Sequence, residues 1–389
     1  MHHSSEEEIT RSPAERPMTE GPFQTWANQS SKDPSVQILT AGFMTDEQFN
    51  MITLILVFVL QVSNITALIG NSLNIAVFVR LGFAEPSNIS LTALAICDLV
   101  CVISSIWSNL CFLLNFWHPI LPFNVTNVSI LTGGGLWSFV SRTVAWITAF
   151  ISFERCLCIL VPLKVKSLIT PRTTLTAMLI IAALTVCPFL FSFLNYNFVW
   201  VYYLQSNATI LDVVPNDNKY SILIAKIVFV ICGVIQPVLA FFIVTVCTVF
   251  LVVQLKKVSL WRTSVTSAKS QWEDNSGENT ASNNASATQN RISQKEERLV
   301  RLVVVIAVIF IACFIPTCAL LLCSALFDEF FVFGVYGRIF VVCSLITFLG
   351  QSVSGSVNTI VYYNMASKFR SGLRELLGLN PEEEKIINS

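Results

Sequence analysis

Charge is scarce in this chain. Only 12% of its 389 residues are Asp, Glu, Lys or Arg, against 54% that are apolar or aromatic. A soluble domain carries about a quarter charged residues. A chain this poor in charge uses lipid as solvent for much of its length. Histidine is nearly missing too: His2, His3 and His118 are the full set. That leaves no histidine cluster for a metal centre and no material for a histidine acid–base pair, so an enzyme is not expected. The formal net charge is zero, which gives no electrostatic reason to expect a nucleic-acid partner. Cysteine is absent from particular places. All twelve lie within apolar runs or at their ends, and segments 116–133 and 196–219 hold none. Such placement suits buried thiols acting as small apolar side chains better than a disulfide framework. No apolar core follows Met1, so no cleavable signal peptide is expected.

What is present is a series of long apolar runs, at about 51–79, 88–115, 134–160, 172–195, 220–254, 299–326 and 335–363. Each reaches the ~20 residues that a helix needs to cross a bilayer. None alternates in polarity as a barrel strand would. The sequence therefore predicts an all-α membrane protein, a seven-helix bundle over 51–363. A polar tail, 1–50, precedes it and reads as disordered. A Ser/Thr/Asn-rich connection within 255–297 reads as a disordered loop.

Lys and Arg are distributed unevenly around the spans. The connection 116–133 has none, 327–334 has none, and 196–219 has only Lys219. The other side carries Lys164, Lys166, Arg172, Lys256, Lys257, Arg262, Lys295, Arg298, Arg301, Lys368, Arg370 and Arg374. Positive residues stay on the cytoplasmic side. The expected protein is a multi-pass plasma-membrane protein with its N-terminus outside and its C-terminus in the cytoplasm. Glycosylation sequons at Asn28, Asn124, Asn127 and Asn207 fall on the segments assigned outside.

Charges inside the spans are costly in lipid and tend to be functional. Asp98 lies mid-span in "LAICDLV". Asn71 and Asn358 are candidate partners, in a polar network that could include Na⁺ or serve only to hold helices together. Arg142 lies deep in the third span, roughly 20 Å from Arg155 at about 1.5 Å per residue. Snorkelling does not reach water easily from there. Arg142 with Lys226 forms a candidate basic pocket for an anionic ligand group. The plainer alternative is that backbone and hydroxyl groups satisfy Arg142 while Lys226 snorkels. Arg338 stands at the outer end of the seventh span. Trp137, Ser141 and Phe314 complete the candidate ligand-facing set.

Several motifs stand in a particular order. Asn71 sits in "GN" of the first run, and Asp98–Leu99 end "NISLTALAICDL". "FERC" closes the third run, with Pro162–Leu163 after it. Pro237 lies in the fifth run, "FIACFIP" in the sixth and "NTIVY" in the seventh. "SKFRSGLREL" follows. Over about residues 50–377 the chain resembles a rhodopsin-like (class A) G-protein-coupled receptor. The resemblance implies a short amphipathic eighth helix within 364–389. It also implies partners: heterotrimeric G proteins, receptor kinases and arrestin. The activation switch would comprise Glu154, Arg155, Glu296, Phe314, Pro316, Asn358 and Tyr362. Arg155 would hold the resting state with Glu296 as its acidic partner on the sixth helix, and Phe314 would be the toggle.

The departures from that pattern are informative. Both partners of the family's usual outer disulfide are missing together. Cys156 stands in place of tyrosine after Arg155, Phe314 in place of tryptophan, and Thr359 in place of proline. Trp137 stands where amine receptors carry an aspartate, which argues against a monoamine. No lysine lies in the seventh run, so a retinal Schiff base is not available. These departures resemble divergent molluscan chemosensory receptors or their neuropeptide-receptor relatives. The competing reading is a seven-helix transporter or channel. It has the intramembrane charges, but no internal repeat is visible.

Overall fold

The structure is a computed structural model that describes residues 44–117, 121–203, 208–216, 218–273, 283–327, 329–330 and 334–378. Seven helices are long and apolar enough to cross a membrane: Asp46–Leu81, Pro86–Leu114, Asn127–Leu160, Pro171–Leu190, Phe229–Lys257, Val300–Leu326 and Gly337–Met365. They coincide in order and number with the seven apolar runs.

The first span shows why a membrane helix reads differently from a soluble one. Its start is fixed by a capping box: Gln48 N donates to Thr45 Oγ1 at 3.2 Å, and Thr45 N donates to Gln48 Oε1 at 3.1 Å. Its buried face carries Thr53, Asn64, Asn71 and Asn74 among apolar residues, at helical spacing. Its outward face carries Leu54, Phe58, Val62, Ile65 and Ile69. The polar stripe points inward because lipid, unlike water, cannot hydrogen-bond it. The first span packs on the second and the seventh, the third on the second and the fifth, and the sixth on the fifth and the seventh. The first and seventh spans touch closely at Gly70, where a Cβ would come 2.6 Å from Thr359 Oγ1. Small residues allow such approach where the hydrophobic effect does not drive helices together.

Four irregularities shape the bundle. The third span begins with a π-helical turn, Ile130–Gly135, and the fifth with another, Phe229–Ile235. The second turn has a visible cause. Pro237 has no N–H and its ring clashes with the carbonyl of Gly233, and widening the helix relieves both. Prolines also lie inside the fourth helix (Pro188) and the sixth (Pro316).

Two features differ from the sequence reading. Within 255–297, read as a disordered loop, the backbone of the fifth helix runs on to Glu273 and that of the sixth begins at Asn283. Ala, Gln, Lys, Glu and Arg there are strong helix formers despite the polar composition. The connection between the fourth and fifth spans is a β-hairpin, which the all-helical reading did not include. Strand β1, Tyr196–Tyr203, pairs antiparallel with β2, Ala208–Pro215, in the register Tyr196↔Pro215. "YNFVWVYY" is rich in aromatic and β-branched residues, which favour a pleated surface.

Past the seventh span, Ala366 adopts an extended conformation and a short helix, Ser367–Leu376, turns away. It buries Phe369 and Leu373. Phe369 packs with Phe78 and Tyr362 at centroid separations of 5.3 and 5.5 Å, and those two rings lie 5.2 Å apart. Exposed ion pairs, Arg80–Glu375 at 2.6 Å and Lys368–Glu85, flank the contact. Exposed pairs contribute little, so the three rings hold this helix.

Candidate functional site

The third span runs the length of the bundle, roughly 50 Å at about 1.5 Å per residue. Its start meets the hairpin and its end carries Arg155. The two ends of the molecule can therefore be named by these features.

At the hairpin end, the strand β2 is fastened to the segment leading into the third span. Asn124 N donates to Leu211 O at 2.7 Å, and Leu211 N donates to Pro122 O at 2.9 Å. Asn127 Nδ2 donates to Asp212 Oδ1 at 2.8 Å, and Val213 N donates to the same oxygen at 2.7 Å. Asp212 and Val213 are buried. No disulfide joins any of the twelve cysteines. Of the expected glycosylation sites, Asn28 and Asn207 lie outside the described residues. Asn124 and Asn127 are at this junction, and the Asn127 amide nitrogen is committed to Asp212. Arg338 is engaged as well, donating to Met44 O at 2.9 Å and pairing with Asp46. It ties the start of the first span to the start of the seventh.

Deeper in, Arg142 is buried in the third span with 7% exposure. One guanidinium nitrogen, Nη2, donates to Ser138 Oγ at 2.9 Å. Cζ lies 4.5 Å from the centroid of the Phe139 ring. The other nitrogen, Nη1, is buried with no hydrogen-bond acceptor. Ser141 is buried beside it in sequence. Lys226, the expected companion, lies on the fifth helix, with its side chain outside the described residues.

Mid-span, Asp98 is buried and accepts two amide hydrogen bonds: from Gln351 Nε2 at 3.0 Å and from Asn358 Nδ2 at 3.3 Å. This corrects the expected partner set. Asn71 makes no hydrogen bond to Asp98. It donates to Ala67 O at 3.0 Å in its own helix and accepts from Asn74 at 3.4 Å. Both side chains nevertheless flank Gly355, where a Cβ would come 3.3 Å from Asn71 Nδ2 and 3.4 Å from Asp98 Cγ. Gln351 takes the place given to Asn71. A polar residue in the apolar run "TFLGQSVSG" was the signal for it. A narrow cleft beside Asp98 is lined by Asn64, Ser105, Trp137, Phe348, Gln351 and Ser352 among others. Trp137 packs on Phe348 at 4.1 Å between centroids. Buried oxygens Asn64 Oδ1, Ser352 Oγ and Asn358 Oδ1 have no hydrogen-bond partner. Carboxylate and neutral oxygens are the donor types that a small hard cation takes.

Phe314 is buried in the sixth span, stacked on Phe310 at 4.8 Å and facing Phe241 of the fifth at 6.4 Å. Pro316 follows it by two residues. Tyr362 is fully buried against the rings described above.

At the far end, Arg155 is buried and donates through Nη2 to Glu154 Oε1 at 3.0 Å and to Ser87 Oγ. Ser87 lies in the first turn of the second span and was not anticipated. Nothing in the local pattern "EPSN" marks it. Glu296 lies on the sixth helix with its side chain outside the described residues, so the expected Arg155–Glu296 pair is not described. Arg155 Nε and Glu154 Oε2 remain without hydrogen bonds. Cys156 turns the other way, its Sγ 3.6 Å from Cys247 O of the fifth span.

Among the described residues no group of three or more His, Cys, Asp or Glu side chains is placed to hold a metal ion. The family model "Serpentine type 7TM GPCR chemoreceptor Srw" matches residues 60–380. No curated protein matches the chain.

Proposed function

The chain belongs to the serpentine-type 7TM GPCR chemoreceptor family Srw, and on that premise we propose that it converts ligand binding near its hairpin end into activation of a heterotrimeric G protein at its Arg155 end. As a member it is a chemosensory-type receptor and not an enzyme. The transporter or channel alternative is set aside for the same reason. The observation that carries the coupling step is the clamp on Arg155. A buried guanidinium is held by Glu154 on its own helix and by Ser87 on the second, with one nitrogen left unpaired. A few hydrogen bonds set such an equilibrium, and a ligand that favours the other packing shifts it.

The finer assignments are part of this proposal. The rhodopsin-like placement rests on the ordered motifs. The Lys and Arg distribution supports a plasma-membrane receptor with the hairpin outside and the Arg155 end in the cytoplasm. The helix Ser367–Leu376 then lies at the inner leaflet, seated through Phe369 on the ends of the first and seventh spans. Na⁺ would be held by Asp98 with the unpartnered oxygens of Asn358 and Ser352. When bound it would neutralise the carboxylate within the bundle. Phe314, Pro316, Asn358 and Tyr362 would repack in the active state. Receptor kinases would act on serines and threonines between the fifth and sixth spans, and arrestin would follow. Asn28, Asn124 and Asn207 remain the glycan acceptors. A peptide ligand is the second reading, favoured by the exposed aromatic face of β1: Tyr196, Phe198, Trp200 and Tyr202 at alternate positions.

The test is nucleotide exchange on a panel of heterotrimeric G proteins by the full chain in lipid nanodiscs. At least one Gα should exchange faster with the wild type than with Arg155→Ala. Equal exchange across the panel would overturn the reading.

A further inference from the structure

Arg142 is a buried cation deep in the membrane spans, and no described acidic side chain pairs with it. Its helix partner is a serine hydroxyl one turn back, and its ring partner is Phe139. Nη1 is sealed from solvent and meets no acceptor. Holding a buried guanidinium in that state is costly. The fold does not relieve that cost internally: Ser138 Oγ and the Phe139 ring are the partners it offers the guanidinium.

What surrounds Arg142 narrows the kind of group it awaits. The fifth span packs on the third, and Cys232 is buried in its π-helical turn. One turn further on, Gln236 Oε1 is also buried and unpartnered. The third and fifth spans thus present a buried N–H donor and a buried oxygen acceptor. Phe139 continues into an aromatic row. It packs on Phe189 at 5.3 Å, Phe189 on Phe193 at 6.1 Å, and Phe193 on Phe198 of the hairpin at 6.0 Å. The row runs from Arg142 to the hairpin along the fourth span. Such rings favour an apolar body, and the guanidinium favours two parallel bonds to a carboxylate.

We propose that Arg142 is the anchor for the carboxylate of a ligand with an aromatic or apolar body, held between the third and fifth spans. The assignment rests on the receptor reading above, because it places the signal's recognition at this point of the bundle. Carboxylate binding supplies the missing acceptor to Nη1 and leaves the Ser138 bond in place. Gln236 Oε1 is available for an N–H or O–H on the same ligand.

The experiment measures binding without any G protein. The full chain in nanodiscs is titrated with phenylacetate, indole-3-acetate and N-acetylphenylalanine, each against its primary amide, with thermal unfolding as readout. At least one acid should stabilise the wild type more than its amide does. Arg142→Met should lose about tenfold or more in apparent affinity for that acid, and Arg142→Lys, which keeps the charge without the fork, should fall between. Arg142→Met without ligand should be at least as heat-stable as the wild type, since it removes an unpaired charge. If only N-acetylphenylalanine acts, the carboxylate comes from a peptide end; if the simple acids act, it comes from a small molecule. Either supports the site. Failure of every acid to outdo its amide, or equal acid affinity in Arg142→Lys and Arg142→Met alongside the wild type, would overturn it. Arg155→Ala should keep acid binding while losing nucleotide exchange. Loss of exchange alone therefore bears on signalling, and loss of acid binding alone bears on this site.

Discussion

Asn127 Nδ2 donates to Asp212 Oδ1 at 2.8 Å, and this bond joins the start of the third span to the hairpin between the fourth and fifth spans. Together with the paired backbone of Asn124, Pro122 and Leu211 it makes the connection non-covalent. Asp212 is buried and also accepts from Val213 N, so its carboxylate is well supported.

Breaking that junction should be costly. Asp212→Ala leaves the Asn127 amide and the Val213 N–H without their acceptor, and the expected loss is about 1–3 kcal/mol per buried group. Thermal unfolding in nanodiscs reads it, and Asn127→Ala should lose less. Reductant should leave the wild-type midpoint unmoved, because no disulfide is present to cleave. A large drop with dithiothreitol would contradict the non-covalent account. Glycopeptide mass spectrometry should find Asn127 without a glycan.

Release of Arg155 should raise basal signalling. Glu154→Gln removes the charge that holds the guanidinium, and Ser87→Ala removes the link to the second span. Each should increase ligand-independent nucleotide exchange, and the double variant should exceed either. Unchanged exchange in the double variant would show that the clamp does not restrain the resting state.

The Asp98 network should depend on its two amides. Gln351→Leu takes away the shorter of the two hydrogen bonds and should destabilise the receptor by about 1–3 kcal/mol. Asp98→Asn should be milder, because it removes the buried charge. If the carboxylate and its neighbouring oxygens hold Na⁺, the wild-type unfolding temperature will rise in NaCl relative to an equal concentration of an organic-cation chloride. Asp98→Asn should abolish that difference.

The short last helix should depend on its rings more than on its ion pairs. Phe369→Ala empties a site between Phe78 and Tyr362, at a cost of about 3–5 kcal/mol for a fully buried phenylalanine. Glu375→Ala should cost under about 1 kcal/mol, since the pair with Arg80 is exposed. Hydrogen exchange over 367–376 distinguishes the two.

The sequence by itself determined the seven spans, because the bilayer demands a fixed length of apolar residues and the chain supplies it seven times. It also marked Asp98, Arg142 and Arg155, because a charge in an apolar run stands out without any knowledge of neighbours. It did not determine their partners. Gln351 reaches Asp98 across more than 250 residues of chain, and Ser87 reaches Arg155 across 68, and only helix packing brings such pairs together. The hairpin was hidden for a related reason. Its strands pair with each other and with the third-span entrance, and the residue pattern of a short connection does not say which edge will be met. Arg142 makes the division clear. Its residue type and depth were readable from the chain, but its missing acceptor was decided by tertiary structure, which buried Nη1 and placed no oxygen in front of it.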